Sequence, residues 1–473
     1  MRPTLSPTRH IVVLGAGISG LTCSYYLKQL ANSSGYPLQI SLLEASARPG
    51  GWIATREVDG CLCELGARSV RPQGRGRLFL ELIEQLDLQS KLFGNRQEAK
   101  ARYLWHEGSL CPLPSSLPSL ISSPLTSRLW PLLWRDLTYP KGTRSDETIY
   151  DFISHHSSSQ FAERLFDPMM SGIFAGDIRQ LSAEACLPQL KKLERAYGSL
   201  VWGLLRQGKK EQKPSSQLIE SMQSFSLVSL QGGMEQLIHA LAKELQGLLQ
   251  LRHRCLAIAS LPGGRLRIEL EGATTIEADQ VVSALPAPQL AKLLQREAAS
   301  IAHSLERLAS ASSLVSLSLI WKKPPSEKKG FGYLVASHYK EAILGCVWDS
   351  QLFPQPSQKA LMTVMMGGSH RPDLVDKPED ELLSIALEGL KRHMAIEASP
   401  DSFYLQRAER AIPQYRVGHL EEVASIEKAM QKALPRLAFI GQSFLGLSIN
   451  DCLWQAYETA KSIFKSVLRA TSA

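Results

Sequence analysis

The apolar positions of this chain fall into a few repeating patterns. Ile11-Val12-Val13-Leu14 is an unbroken branched run, the pattern of a buried strand. Leu21, Tyr25 and Leu27 then recur near helical spacing, which predicts a helix over about residues 18–31. Leu38-Gln39-Ile40-Ser41-Leu42-Leu43 alternates like a strand and ends at Glu44. Near the carboxyl end, Leu437-Ala438-Phe439-Ile440-Gly441 reads as a second buried strand ending in glycine, followed by a helical stretch to about residue 466.

The turn between the first strand and its helix reads Gly15-Ala16-Gly17-Ile18-Ser19-Gly20. A lone G-x-G-x-x-G means little. Flanked by two strands, with an acid at the end of the second, it predicts a dinucleotide site. Gly15 suits the tight turn, Gly17 admits a pyrophosphate to the backbone, and Gly20 lets helix and strand pack closely. The helix N-terminus offers unpaired N–H groups to a diphosphate. Glu44 is placed to accept ribose hydroxyls and disfavours a 2′-phosphate.

Composition bounds the remaining options. The chain has 473 residues, 44% hydrophobic and 21% charged, which excludes a disordered tail, a collagen-like fibre and a polytopic membrane protein. Net charge is +8. The basic residues are scattered and match no nucleic-acid-binding motif, so nucleic acid is not an expected partner. An acidic membrane face or an acidic small molecule fits better. The eight cysteines are too sparse for a disulfide scaffold and lack metal spacing, so free core thiols and no metal are expected. No window reaches the roughly 18 apolar residues of a membrane span. Leu110 to Leu137 carries five prolines, many Leu and Ser, Trp130 and Trp134. That segment suits an interfacial patch, or a loop packed on the core. Lys209 to Ser216 reads as an exposed loop. Residues 1–43 contain no Asp or Glu, which is compatible with a mitochondrial address or with a phosphate-friendly fold.

Beyond Glu44 come Arg48-Pro49-Gly50-Gly51-Trp52-Ile53 and Glu64-Leu65-Gly66-Ala67-Arg68-Ser69. A second glycine pair and a Glu-Leu-Gly turn resemble the flavoprotein monoamine-oxidase and phytoene-desaturase group. So do Leu230-Gln231-Gly232-Gly233-Met234, the strand near Leu251–Cys255, Glu277 to Pro286, and the Gly441 to Cys452 turn. Ser171-Gly172-Ile173-Phe174-Ala175-Gly176-Asp177 and Ile412-Pro413-Gln414-Tyr415 resemble, more narrowly, the eukaryotic-type protoporphyrinogen oxidase family. The resemblance covers essentially the whole chain.

It implies an α/β Rossmann-like FAD domain built from 1–90, 228–290 and 404–473. A mainly helical membrane-binding insert over 91–227 and a substrate domain with a mixed sheet over 291–403 complete it. It implies non-covalent FAD, oxidation of protoporphyrinogen IX by O2, one-sided contact with the inner mitochondrial membrane on its intermembrane-space side, a homodimer, and handover to ferrochelatase. Carried over residue by residue, cofactor positions are Gly15, Ala16, Gly17, Ile18, Ser19, Gly20, Glu44, Gly51, Trp52, Gly66, Ala67, Arg68, Ser69, Cys255, Gln442, Leu447, Ser448 and Ile449. Substrate positions are Arg102 for a propionate, with Tyr103, Gly172, Phe331, Leu334 and Met365 lining the pocket. A surface arginine at 102, and core roles for the apolar residues, stay open.

No general base is expected, because flavin accepts the hydride. His155-His156 is expected to be a solvated pair in a serine-rich loop, and His419 a structural hydrogen-bonder. Two other readings stay open: an amine or polyene oxidase of this fold, or a redox-silent carrier such as a prenylated-GTPase escort.

Overall fold

A computed structural model describes residues 8–114, 123, 125–126, 135–138, 145–206 and 216–472. A five-stranded parallel sheet runs in the order Leu437–Phe439, Gln280–Ser283, Arg9–Leu14, Leu38–Glu44 and Leu249–Leu251. The two strands read from the N-terminal pattern are therefore neighbours, and the C-terminal one joins them. The alternation of side chains explains why the first strand is apolar throughout. Ile11 and Val13 enter one core with the helices Ile18–Ser34, Glu235–Glu244 and Ile449–Ser472. Val12 and Leu14 enter another, beneath a three-stranded antiparallel sheet and the helices Ala287–Leu294 and His419–Ala433. The first helix outruns its expected end and stops at Gly35, whose φ of 66° closes it with a left-handed cap.

A seven-stranded mixed sheet forms the other half, in the order Ser402–Pro413, Ala311–Trp321, Ala360–Gly367, Ile343–Val347, Gly332–Val335, Arg102–His106 and Ser109–Pro112. One face, with Leu317, Tyr333 and Val364, packs on Leu382, Ala386 and Leu390 of the helix Glu379–Met394. The limit drawn at 404 thus falls inside a strand of this sheet. Residues 102–112, assigned in sequence to the mainly helical insert, supply two of its strands.

The chain between these parts is helical where described, including Ile149–His156, Asp167–Phe174, Pro188–Tyr197 and Leu200–Arg206. Most of the 110–137 segment and residues 207–215 lie outside the described residues, so the interfacial patch and the Lys209 loop do too. The expectation for His155-His156 is corrected. Thr148 caps a helix there by accepting from the Asp151 N–H, and Ile149, Phe152, Ile153 and His156 form its buried face. His156 is 4% exposed and lies between the carboxylates of Asp136 and Glu194. All eight cysteines are free thiols.

Candidate functional site

Two groups of the expected residues gather, one at the carboxyl ends of the parallel strands and one on the open face of the mixed sheet. At the first strand end, Gly15 turns with φ of 92° and donates its N–H to Leu43 O at 2.8 Å. A side chain at Gly20 would put its Cβ 1.9 Å from Gly15 O, so strand and helix meet there only through glycine. Gly17 caps the first helix without any side-chain bond, leaving the first N–H groups of that helix available. A Cβ on Gly17 would meet nothing within 4 Å, and one on Gly51 would lie 3.4 Å from Gly17 Cα. Gly50 donates to Ala16 O at 2.7 Å, which lays the second glycine pair across the first.

Glu44 accepts from the Ala16 N–H and the Ser46 N–H, both at 2.8 Å. These bonds fix the carboxylate at the strand end. The 251–255 segment approaches it: His253 N–H donates to Glu44 O at 2.8 Å and Arg252 N–H to Ser46 O at 3.0 Å. Cys255 starts the next strand, and burial pushes its thiol up to about 12, so it is an inert wall rather than a reactive group.

The far end of the site is closed by Gly441 to Asp451. Ser19 hydrogen-bonds Cys452, which joins the first and last helices. Ser448 accepts from the Asp451 N–H at 3.1 Å and donates to its carboxylate at 2.6 Å, capping the last helix. Arg75 pairs with Asp451 at 2.6 Å and stacks 4.2 Å from the Trp454 ring. Ile449 is buried in the first core, and Leu447 packs against the helical insert. Gln442 donates to Ala411 O at 3.1 Å, and its own carbonyl accepts from the Tyr415 hydroxyl. His419 is structural, as expected: its ring faces Phe444 O at 2.9 Å.

The Glu64–Ser69 loop lies between the two groups. A Cβ on Gly66 would be 2.1 Å from Trp52 O, so this loop touches the second glycine pair's neighbour directly. Trp52 itself is 40% exposed. Ala67 and Ser69 flank Arg68, whose Nη1 meets Asp349 Oδ1 at 2.6 Å. Glu64 accepts from the Met234 N–H at 2.7 Å and the Thr55 hydroxyl at 3.0 Å. Burial first, opposed by these bonds and by Arg68, lifts its carboxyl to about 7.

On the mixed sheet, register decides which expected residues meet. Leu334 pairs with Gly345, and Gly345 with Met365, so both side chains share one face. Gly172 lies over them, where an added Cβ would be 2.8 Å from Leu334 Cδ2. Arg102 pairs with Gly332 and sets its guanidinium 5.0 Å from the Phe331 ring centroid. Phe331 and Met365 join one apolar cluster. Tyr103 is the exception. It pairs with Tyr333 on the opposite face and packs into the core against Trp348 at 5.6 Å, because neighbouring strand residues point to opposite sides. The core reading left open for it is the observed one. Asp349 and Asn450 escaped the sequence reading. Asn450 donates to Arg71 O at 2.8 Å while its own Oδ1, buried, has no partner among the described residues. A short polar residue at a helix start carries no periodic signal, so the apolar pattern did not single it out.

The glycine cradle, the free helix N-terminus, the fixed Glu44 and the buried Asn450 acceptor suit a flavin dinucleotide. Comparison with known proteins agrees. The family described as flavin containing amine oxidoreductase matches residues 18–464. Protoporphyrinogen oxidase of Bos taurus is 34% identical over 96% of this chain and 98% of its own. Coproporphyrinogen III oxidase of Bacillus subtilis is 27% identical over 94% and 96%. A solved structure from Exiguobacterium sp. 255-15 superposes with TM-score 0.80 at 25% identity, covering 98% of this chain and 100% of that one.

Proposed function

We propose, from the premise that this chain belongs to the flavin containing amine oxidoreductase family, that it is an FAD-dependent oxidase of protoporphyrinogen IX. The observation that carries this reading is near-full-length similarity, at 34% identity, to a mammalian protoporphyrinogen oxidase. The reaction removes six electrons and yields protoporphyrin IX, with three O2 becoming three H2O2.

The backbone at Gly15, Gly17 and Gly51 receives the diphosphate, and Glu44 the ribose. The N-terminus of the last helix, at Ile449, would hold the ring end of the cofactor, where its dipole would favour negative charge. The chemistry supplied by a bound flavin would be hydride removal from a meso carbon and passage of the electrons to oxygen. The chain's own task is to hold a flat tetrapyrrole against that ring. Leu334, Met365 and Phe331 supply the apolar wall. Gly172 lets that wall close, and Arg102 offers a fork to a propionate. No residue of the chain is assigned as proton acceptor.

The B. subtilis relative favours a second reading, in which the substrate is coproporphyrinogen III. Both porphyrinogens are added separately under air and porphyrin fluorescence is followed. The proposal expects a higher kcat/KM for protoporphyrinogen IX. A rate no greater than the autoxidation blank overturns it, and a preference for the other substrate moves the assignment to the second reading.

The same reading places the protein as a homodimer on the inner mitochondrial membrane, facing the intermembrane space and passing product to ferrochelatase. One observation supports a membrane contact. On the helix Leu200–Arg206, Leu204 is 61% and Leu205 73% exposed, and Arg206 stacks over Trp202 at 5.0 Å, the composition of an interfacial face. Among the described residues no helix is long and apolar enough to cross a membrane. Flotation with cardiolipin-containing vesicles tests the contact, and protein left at the bottom of the gradient refutes it.

A further inference from the structure

Arg68 and Asp349 come from opposite halves of the molecule. Arg68 follows the Glu-Leu-Gly turn of the cofactor half. Asp349 opens the short helix Asp349–Leu352 of the substrate half, directly after the buried Trp348. Their side chains meet at 2.6 Å and are only 16% and 11% exposed. The second oxygen of Asp349 accepts from the Thr363 hydroxyl at 2.7 Å. Thr363 stands two residues before Met365 on the same face of the strand Ala360–Gly367, so the carboxylate also touches the wall of the pocket.

Both ends of this link are anchored. The Arg68 carbonyl accepts from Ser229 Oγ at 2.9 Å, and Val70 and Val228 exchange two backbone bonds at 2.9 Å. Beyond Asp349, the Trp348 N–H donates to Phe331 O at 2.9 Å. The carboxylate therefore connects the cofactor loop to the pocket strand through Thr363, and the residue before it holds Phe331 by a backbone bond. A charge pair this little exposed loses much hydration, which makes it a poor device for stability alone.

We propose that Asp349 is a positioning residue, which holds Arg68 in register between the cofactor loop and the substrate sheet and offsets the arginine's charge beside the flavin. The inference rests on the reading that the Glu64–Ser69 loop lies against the flavin ring. Two consequences differ from those of a plain staple. An Arg68 released from its counter-charge favours the reduced, anionic flavin over the oxidised one. A weaker grip at Thr363 leaves the charge in place but loosens the distance between the two halves.

The test uses full-length, flavin-loaded protein in a Glu64→Gln background, which removes a second titratable carboxyl that interacts with both Arg68 and Asp349. The two-electron flavin potential, kcat and KM are measured for Arg68→Met, Asp349→Asn, Asp349→Glu and Thr363→Val. Arg68→Met is expected to lower the potential. Asp349→Asn is expected to raise it by a tenfold preference for reduced flavin, about 30 mV for a two-electron couple. Asp349→Glu should recover most of that change. Thr363→Val should keep the potential and lower kcat several-fold with KM unchanged, and this arm stands even if Asp349→Asn fails to fold. A potential that moves with Arg68→Met but not with Asp349→Asn overturns the inference. A potential indifferent to Arg68→Met overturns the loop reading beneath it. Unchanged kcat in Thr363→Val refutes the positioning role.

Discussion

Replacing Asp136 by asparagine should loosen the helical insert while leaving both sheets intact. This carboxylate is 3% exposed. It faces His156 Nδ1 and accepts from Ser199 Oγ, from the Leu200 N–H at 3.1 Å and from the Val201 N–H at 2.8 Å. It thereby ties Ile149–His156 to the start of Leu200–Arg206. Burial alone would raise its pKa, but the bonds from His156, Ser199, Val201 and Leu200 outweigh it and hold the carboxyl at about 2 instead of 3.8. That difference corresponds to about 2.5 kcal/mol. Part of that is retained, because the same donors still meet an asparagine oxygen, so the expected loss is about 1–2 kcal/mol. Asparagine keeps the shape and one acceptor, so the loss is mainly electrostatic. The folded value is depressed, so the stabilisation is complete above 3.8 and disappears as pH falls through 2. Hydrogen exchange at pH 7 reads the local opening of residues 200–206 directly. Asp136→Asn should speed exchange there roughly five- to thirtyfold, the kinetic image of 1–2 kcal/mol, with the Arg9–Leu14 strand unchanged. Exchange within twofold of the parent protein in 200–206 would mean that the Asp136 bonds carry no net stabilisation.

Three further outcomes are expected. Gly17→Glu should abolish flavin retention without unfolding the chain, because its side chain has open space before it yet points where a diphosphate approaches; purified protein with a normal ratio of flavin to protein absorbance refutes this. Arg102→Ala should raise KM roughly 10- to 100-fold, the loss of a charged hydrogen bond, with a smaller effect on kcat; steady-state kinetics that match the parent show that another cation meets the carboxylate. Glu64→Gln should flatten the pH dependence of thermal stability. Burial raises the native carboxyl from 4.5 to about 7, so between those values the native state binds more protons than the unfolded one and stability falls as pH rises; a parent protein equally stable at pH 5 and pH 8 contradicts the assignment.

The parallel sheet was legible because each of its long strands carries a branched apolar run and because glycines at 15, 17 and 20 can serve little but a close backbone approach. The residues of the mixed sheet were harder to place. Arg102 and Tyr103 are adjacent and both matched pocket positions, yet register sends them to opposite faces, and sequence alone does not reveal which neighbour a strand will choose. The helix at Ile149–His156 was legible and overlooked. Ile149, Phe152, Ile153 and His156 stand at i, i+3, i+4 and i+7, and apart from Ser154 the serines that suggested a loop follow the helix, from Ser157 to Ser159. Its polar network was not legible. Asp136, Glu147, Lys191 and Glu194 are scattered over separate segments, and only the fold gives the buried Lys191 its two carboxylates, at 3.2 and 2.6 Å.

The +8 charge acquires a local meaning at Arg102. Arg102 is exposed at the start of its strand, as the surface reading left open for it allows, yet partial desolvation first and the positive charge of Arg71 second hold its guanidinium below the ordinary arginine value. Among the described residues no carboxylate forms an ion pair with either arginine. By contrast Arg68 and Arg75, on the cofactor side, each have an aspartate at 2.6 Å. Arg68 and Arg75 are thus each neutralised by an aspartate, whereas Arg102 and Arg71 are left uncompensated among the described residues. An uncompensated pair of like charges is relieved by any bound carboxylate, in the ground state as much as in the transition state. Such an interaction tightens binding uniformly. That is why Arg102→Ala is expected to act on KM, and why a fall in kcat and kcat/KM of equal size would show instead that Arg102 acts only in the transition state.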